Sequence, residues 1–243
     1  MTLIIVSVLP VILLMVYFYY RDKFEKEPLN VLMKAFTAGA FSTVPAVVFA
    51  LIMMSVFSLS GKESVVYQSF INSFAEAAIP EEISKFALLY VFIWNDKNFN
   101  ERYDGILYAV FVALGFAFVE NIIYVSQNGV FVGISRALLA VPLHALAGVI
   151  MGYYFALAKF IQPKRASYLI KSVFFAIIAH GVYDFIIFYT DSIVGINPVF
   201  ASIGYLFIFV FIFYLWRFSL RKVQLHVSNS VFKNRNERED EEV

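Results

Sequence analysis

Apolar residues run in seven long blocks, over about 2–20, 31–58, 65–93, 104–126, 134–159, 168–190 and 196–217, each closed by a short polar or charged break. Blocks of this length match the roughly 20 residues that an α-helix needs to cross a bilayer core. The pattern predicts an all-α, polytopic integral membrane helical bundle of about seven transmembrane helices. The number becomes eight if the third block divides at Pro80, which suits a kink or a helix start, with an interfacial helix before it and a deeper one after it. The second block is expected to break near Pro45. The first has no basic residue ahead of it and no small-residue cleavage signal, and Arg21, Asp22 and Lys23 follow at once, so it reads as a retained anchor rather than a signal peptide. Residues 1–218 are thus expected to form the multi-span membrane domain. Residues 219–243 are expected to form a charged cytoplasmic tail, ending in Asn234–Val243, in which His226 is solvated.

Composition agrees with this class. The 243-residue chain is 61% hydrophobic and 15% charged, with a mean hydropathy of +0.76, well outside the balance of a soluble globular domain. Cysteine is absent, which excludes disulfides, thiolate zinc sites and cysteine nucleophiles. The net charge of +1 conceals a strong segregation. Sixteen of the nineteen Lys and Arg residues fall in the first, third and fifth breaks or after the last block, whereas the alternate breaks hold only Lys62 and Arg136, and Lys85 lies within a block. The positive-inside rule then places the N-terminus outside and the C-terminus in the cytoplasm. The lipid bilayer is the first partner, and no nucleic acid is expected.

Six polar residues lie inside blocks that are otherwise lipid-soluble: Glu81, Glu82, Glu120, His144, His180 and Asp184. One ionised side chain at mid-bilayer costs roughly 2.5–3.5 kcal/mol on the lenient insertion scale, so a chain that keeps several is expected to use them together. At about 1.5 Å per residue, Glu120 lies about 24 Å along its block from Asp104. His144 falls in the outer half of the fifth block, His180 near the middle of the sixth with Asp184 above it, and Glu81 and Glu82 near mid-depth or slightly outside. Four helices therefore bring polar groups to overlapping levels, and in a packed bundle these would line one cavity open to the outside. Local spacing agrees. Glu81 and Lys85 share a helix face, so Lys85 neutralises and orients Glu81, while Glu82 points about 100° away. His180 and Asp184 share a face too, an arrangement in which a carboxylate fixes the tautomer of an imidazole. Asn121 follows Glu120, and Tyr124 lies one turn on. Taken singly, each has a plainer reading as a helix-to-helix hydrogen bond or a structural ion pair; their common depth is what favours a site.

Four strings in order carry a resemblance. Pro80-Glu81-Glu82-Ile83-Ser84-Lys85-Phe86 is the first; Tyr103-Asp104-Gly105-Ile106, continuing through Gly115 to Glu120-Asn121, is the second. Pro142-Leu143-His144-Ala145-Leu146-Ala147-Gly148 is the third, and His180-Gly181-Val182-Tyr183-Asp184-Phe185 the fourth. Together, over about residues 70–190, they resemble the PrsW family of intramembrane proteases, related to the CAAX-prenyl endopeptidase and bacteriocin-immunity membrane proteases. The resemblance implies a site-1-type endopeptidase that cuts a single-pass membrane anti-sigma factor on its extracytoplasmic side and so begins regulated intramembrane proteolysis. It implies a catalytic set of Glu81, Glu82, Glu120, His144 and His180, supported by Lys85, Asn121 and Asp184. Two mechanisms stay open. In one, a carboxylate of the Glu81/Glu82 pair activates water, with the histidines or Asn121 on the oxyanion and no cofactor. In the other, Glu120, His144 and His180 hold Zn²⁺. The first is preferred, because the endopeptidase relatives imply it. The rival classes are a proton- or ion-coupled transporter using the same Glu/His cluster and a noncatalytic membrane scaffold. Against the transporter, no duplicated half with matching broken helices is visible.

Overall fold

The computed structural model describes residues 2–57 and 63–230. Its helices are α1 (Thr2–Arg21), α2 (Leu29–Phe57), α3 (Val65–Phe70), α4 (Ile79–Ile93), α5 (Arg102–Asn128), α6 (Val130–Leu138), α7 (Ala140–Phe160), α8 (Arg165–Ile193) and α9 (Pro198–Ser228). No strand occurs among the described residues. Among the described residues, six stretches are long and apolar enough to cross a membrane: α1, α2, α5, α6 together with α7, α8, and α9. The third apolar block is instead a composite rod, in which α3 passes through a π-helical segment, Ile71–Ala78, directly into α4. The all-α polytopic bundle is therefore present.

The two proline expectations resolve differently. α2 runs unbroken through Pro45, because a proline removes one amide donor while the bilayer offers the freed backbone no water, which leaves the helix the best arrangement for every other group. Pro80 does mark a change of helix type. It stands in the first turn of α4, where a missing amide is tolerated. Just before it the chain is wound wider, so that the Ile79 amide reaches back to the Phe74 carbonyl oxygen. The fifth block divides as well: Leu139 leaves helical dihedrals between α6 and α7.

α5 is the axis of the bundle. Every residue from Tyr103 to Ala117 is buried, as expected of a helix that is apolar all round and enclosed by others, here mainly α7, α2 and α1. Glycine makes the closest of these approaches feasible: a Cβ at Gly152 on α7 would collide with the backbone of Gly105 and Ile106, and one at Gly39 on α2 with that of Val112. Small residues at helix crossings let dispersion and close packing replace a hydrophobic driving force that lipid does not supply. α2 and α9 carry the lipid-facing surface, with Phe41, Leu51, Phe200 and Leu206 among its exposed apolar side chains.

The last helix corrects one expectation. α9 continues past 218 to Ser228, and its final turns pack inward, burying Val223 and His226. His226 is not solvated; its ring stands edge-on to Tyr153 at 4.5 Å. The apolar run ends at about 217, yet Val223, His226 and Val227 keep one face of the extension against the core. Asn234–Val243 lies outside the described residues.

Candidate active site

Four elements deliver the polar side chains. The start of α4 supplies Glu81, Glu82 and Lys85; α5, two-thirds along its length, Glu120; the first turn of α7, His144; and the middle of α8, His180 and Asp184. The hub is Lys85, whose side chain is 1% exposed. Its ammonium donates to Glu82 Oε1 at 2.7 Å and to Glu81 Oε2 at 3.2 Å, and lies 3.1 Å from His144 Nδ1. The Phe116 ring lies 4.0 Å away, centroid to ammonium, a favourable cation–π placement in a dry site. Glu82 therefore does not point away from Lys85. Both the three- and four-residue spacings lie on one helix side, and the long lysine stem reaches both carboxylates.

The partners fix proton positions. An ammonium can only donate, so His144 Nδ1 accepts from Lys85; its proton is then on Nε2, which donates to Glu120 Oε2 at 2.8 Å. His180 faces a carboxylate on each side, Glu82 Oε1 at 2.8 Å from Nδ1 and Asp184 Oδ2 at 3.2 Å from Nε2. Only the doubly protonated imidazolium donates to both. The expected pairing of His180 with Asp184 is thus present, and Glu82 completes it.

Arg136, on α6, completes the cluster and was not singled out from the sequence beyond its place in an outer break. Its guanidinium pairs with Glu120 Oε2 at 2.7 Å, donates from Nε to Asn121 Oδ1 at 3.0 Å and covers the Tyr124 ring at 4.2 Å. The signal that could have found it is its isolation: a lone arginine on a segment bound for the outer side runs against the usual charge bias, so it needs a partner. Asn121 is completely buried, and its amide is spent on Arg136 and on the Ser7 carbonyl oxygen of α1. It braces Arg136 from behind.

A cavity of about 530 Å³ opens beside this network, lined by Glu81, Glu120, Arg136, His144, His180 and Asp184 on its polar side and by Leu139, Ile187 and Phe209 among its apolar wall residues. Glu81 borders it, whereas Glu82 lies behind, 1% exposed and fully engaged by Lys85 and His180. The ligand atoms of Glu81, Glu82, His144 and His180 all fall within 4.8 Å of one another. Glu120, expected in a zinc set, is not in that group; it stands on the far nitrogen of His144, against Arg136.

A helical bundle that keeps carboxylates, imidazoles and an ammonium in one network beside an apolar-walled cavity defines a polytopic membrane enzyme. Comparison with known proteins gives its kind. The model of a family described as PrsW family intramembrane metalloprotease matches residues 27–216. Proteins named Protease PrsW are similar over nearly their whole lengths. That of Geobacillus kaustophilus is 37% identical over 92% of this chain and 91% of the relative. That of Clostridioides difficile is 33% identical over 94% and 92%, and that of Bacillus subtilis 34% identical over 90% and 92%. No solved structure matches. The chain belongs to the PrsW family of intramembrane proteases. It is an integral membrane peptidase whose relatives are bacterial, and its substrate is a protein in the membrane.

Proposed function

We propose that this chain hydrolyses a single-pass membrane protein, of the anti-sigma-factor kind, near its extracytoplasmic boundary, with Glu81 as the base that activates water. The observation that carries this reading is the division of labour between the two adjacent carboxylates: Glu81 borders the cavity, while Glu82 is buried and locked by Lys85 and His180. The segregation of lysine and arginine supports an N-terminus outside and a C-terminus in the cytoplasm, which puts the cavity toward the outer face.

In the step envisaged, Glu81 takes a proton from a water molecule as its oxygen bonds to the scissile carbonyl carbon. Negative charge collects on the carbonyl oxygen, and the guanidinium of Arg136, which lines the cavity, can meet it. The C–N bond then breaks as Glu81 returns its proton to the leaving nitrogen. Lys85 bridges the Glu81–Glu82 pair, and the Glu120–His144 pair holds the opposite wall.

The family description includes a metal. The donor set of Glu81, Glu82, His144 and His180 fits a Zn²⁺-type ion in residue kind and in mutual reach, but the Lys85 ammonium contacts three of those four groups and both His180 nitrogens face carboxylates, so an ion there would have to displace the ammonium and a His180 proton. If bound there, the ion would supply Lewis-acid polarisation of the scissile carbonyl.

The test uses purified protein in mild detergent and single-pass membrane reporters with an anti-sigma-factor-like stem, comparing wild type, Glu81→Gln and Glu82→Gln. Cleavage by wild type alone, mapped to the outer membrane boundary, is expected. Cleavage retained by Glu81→Gln would remove its role as base, and a cut on the cytoplasmic side would reverse the orientation. Activity lost to a chelator and regained with Zn²⁺ would assign the metal route.

A further inference from the structure

At the end of the bundle remote from the cavity, five acidic residues meet. Asp22, Glu25 and Glu27 come from the connection between α1 and α2, and Glu101 and Asp104 from the start of α5. Asp22, Glu27, Glu101 and Asp104 are each at most 3% exposed. Among the described residues none of the five joins an ion pair. Lys26 is on the same connection, but its ammonium is spent on the Tyr19 and Asp22 carbonyl oxygens. Some donors are present. The Tyr108 hydroxyl donates to Glu27, the Ser230 hydroxyl to Glu101, and the Asn100 and Glu101 amides to Asp104 Oδ2.

The Asp104 amide also donates to the Glu101 side chain, closing a capping box at the start of α5, which leaves four oxygens of the cluster without a donor. Neither carboxylate oxygen of Asp22 receives a hydrogen bond, and nor do Asp104 Oδ1 or Glu25 Oε2; the Glu27 amide is directed toward Asp22 without reaching hydrogen-bond geometry. Buried carboxylate oxygens left without donors are strongly unfavourable, and acceptor-only oxygens from two separate segments are what a hard cation uses.

We propose that this cluster binds a divalent cation of the Mg²⁺ type through Asp22 and Asp104, with Glu27 and Glu101 behind them, and thereby ties the α1–α2 connection to the start of α5. By the orientation proposed above the site faces the cytoplasm, so it is separate from the proteolytic chemistry.

The experiment titrates MgCl₂ into the full chain in detergent at pH 8, after treatment with a chelator and its removal, at constant ionic strength. Wild type and Asp22→Asn/Asp104→Asn are compared by calorimetry. One Mg²⁺ per chain and at least tenfold weaker binding in the double variant are expected. Equal binding by the variant would place the ion elsewhere and overturn the proposal. Should the variant fail to fold, wild type alone decides: a melting temperature raised by Mg²⁺ but not by matched K⁺ upholds the site. No heat and no shift at millimolar Mg²⁺ overturns it.

Discussion

Lys85→Met removes one ammonium while keeping an unbranched apolar stem of similar reach, so it isolates the charge at the hub of the site. The side chain is 1% exposed and its ammonium serves Glu82 at 2.7 Å and Glu81 at 3.2 Å; Glu82, itself 1% exposed, has no solvent to replace it. Removing one member of a buried pair leaves the other uncompensated, at about 3–5 kcal/mol. Glu82→Gln alone is expected to fall in the same range, because it strips a charge that both Lys85 and His180 use. The double variant Lys85→Met/Glu82→Gln leaves neither charge stranded, so its loss is expected to be smaller than the sum of the single losses by about 2 kcal/mol or more. Stability would be followed by unfolding in mixed micelles, using the fluorescence of Trp94 and Trp216, and cleavage by the reporter assay. All three variants are expected to be inactive even where the double variant regains stability. Single losses that add within about 0.5 kcal/mol, or a Lys85→Met protein as stable as wild type, would refute the hub.

Arg136→Gln should lower the turnover of the reporter by about 10²–10³ if the guanidinium meets the oxyanion, with little change in KM. Arg136→Lys should restore only part of it, because an ammonium lacks the fork that spans Glu120 and Asn121; a fall confined to KM would assign Arg136 to substrate binding instead. Gly152→Val should destabilise the protein by about 1–3 kcal/mol or more by forcing α7 off the Gly105–Ile106 backbone, and a melting temperature equal to wild type would contradict the close crossing. With divalent ions removed, stability is expected to fall as pH rises from about 4 to about 9. The folded protein holds protons on Asp22, up to about 7, and on Glu27, up to about 9, that the unfolded chain releases near the ordinary carboxylate range. Asp22→Asn should flatten the lower part of that profile, and an unchanged slope would exclude Asp22 as its source.

The candidate site was legible in the sequence to the extent that lipid makes polarity conspicuous. Glu81, Glu82, Glu120, His144, His180 and Asp184 stood out because each interrupts an apolar block, and helix spacing alone paired Glu81 with Lys85 and His180 with Asp184. Helix spacing could not supply the bonds between helices: Lys85 to His144, His180 to Glu82, and Glu120 to Arg136 join residues far apart in the chain. Arg136 was missed for the same reason, since a residue at the edge of a block looks solvated until its partner on α5 is known. Asn121, expected as an oxyanion donor, is instead spent on Ser7 and Arg136. His226 was misplaced because a weakly apolar helix end carries no sign of which core it meets.

By itself the sequence determined the class of the molecule. Apolar blocks of bilayer length leave a chain no stable alternative to helices that satisfy their own backbone, and polar groups within them are too unfavourable to be scattered without use. The local helix pairings followed too, because a helix dictates which neighbours share a face. Tertiary structure decided what those groups do. Only the packing of α4, α5, α6, α7 and α8 sets Glu81 at the cavity wall and Glu82 behind it, two adjacent residues of the same kind that no periodicity distinguishes. Only the closeness of the α1–α2 connection to the start of α5 turns separate loop acids into one buried cluster. Hydrogen bonds and burial depend on distances across the fold, and those distances come from helix packing rather than from the order of residues along any one helix.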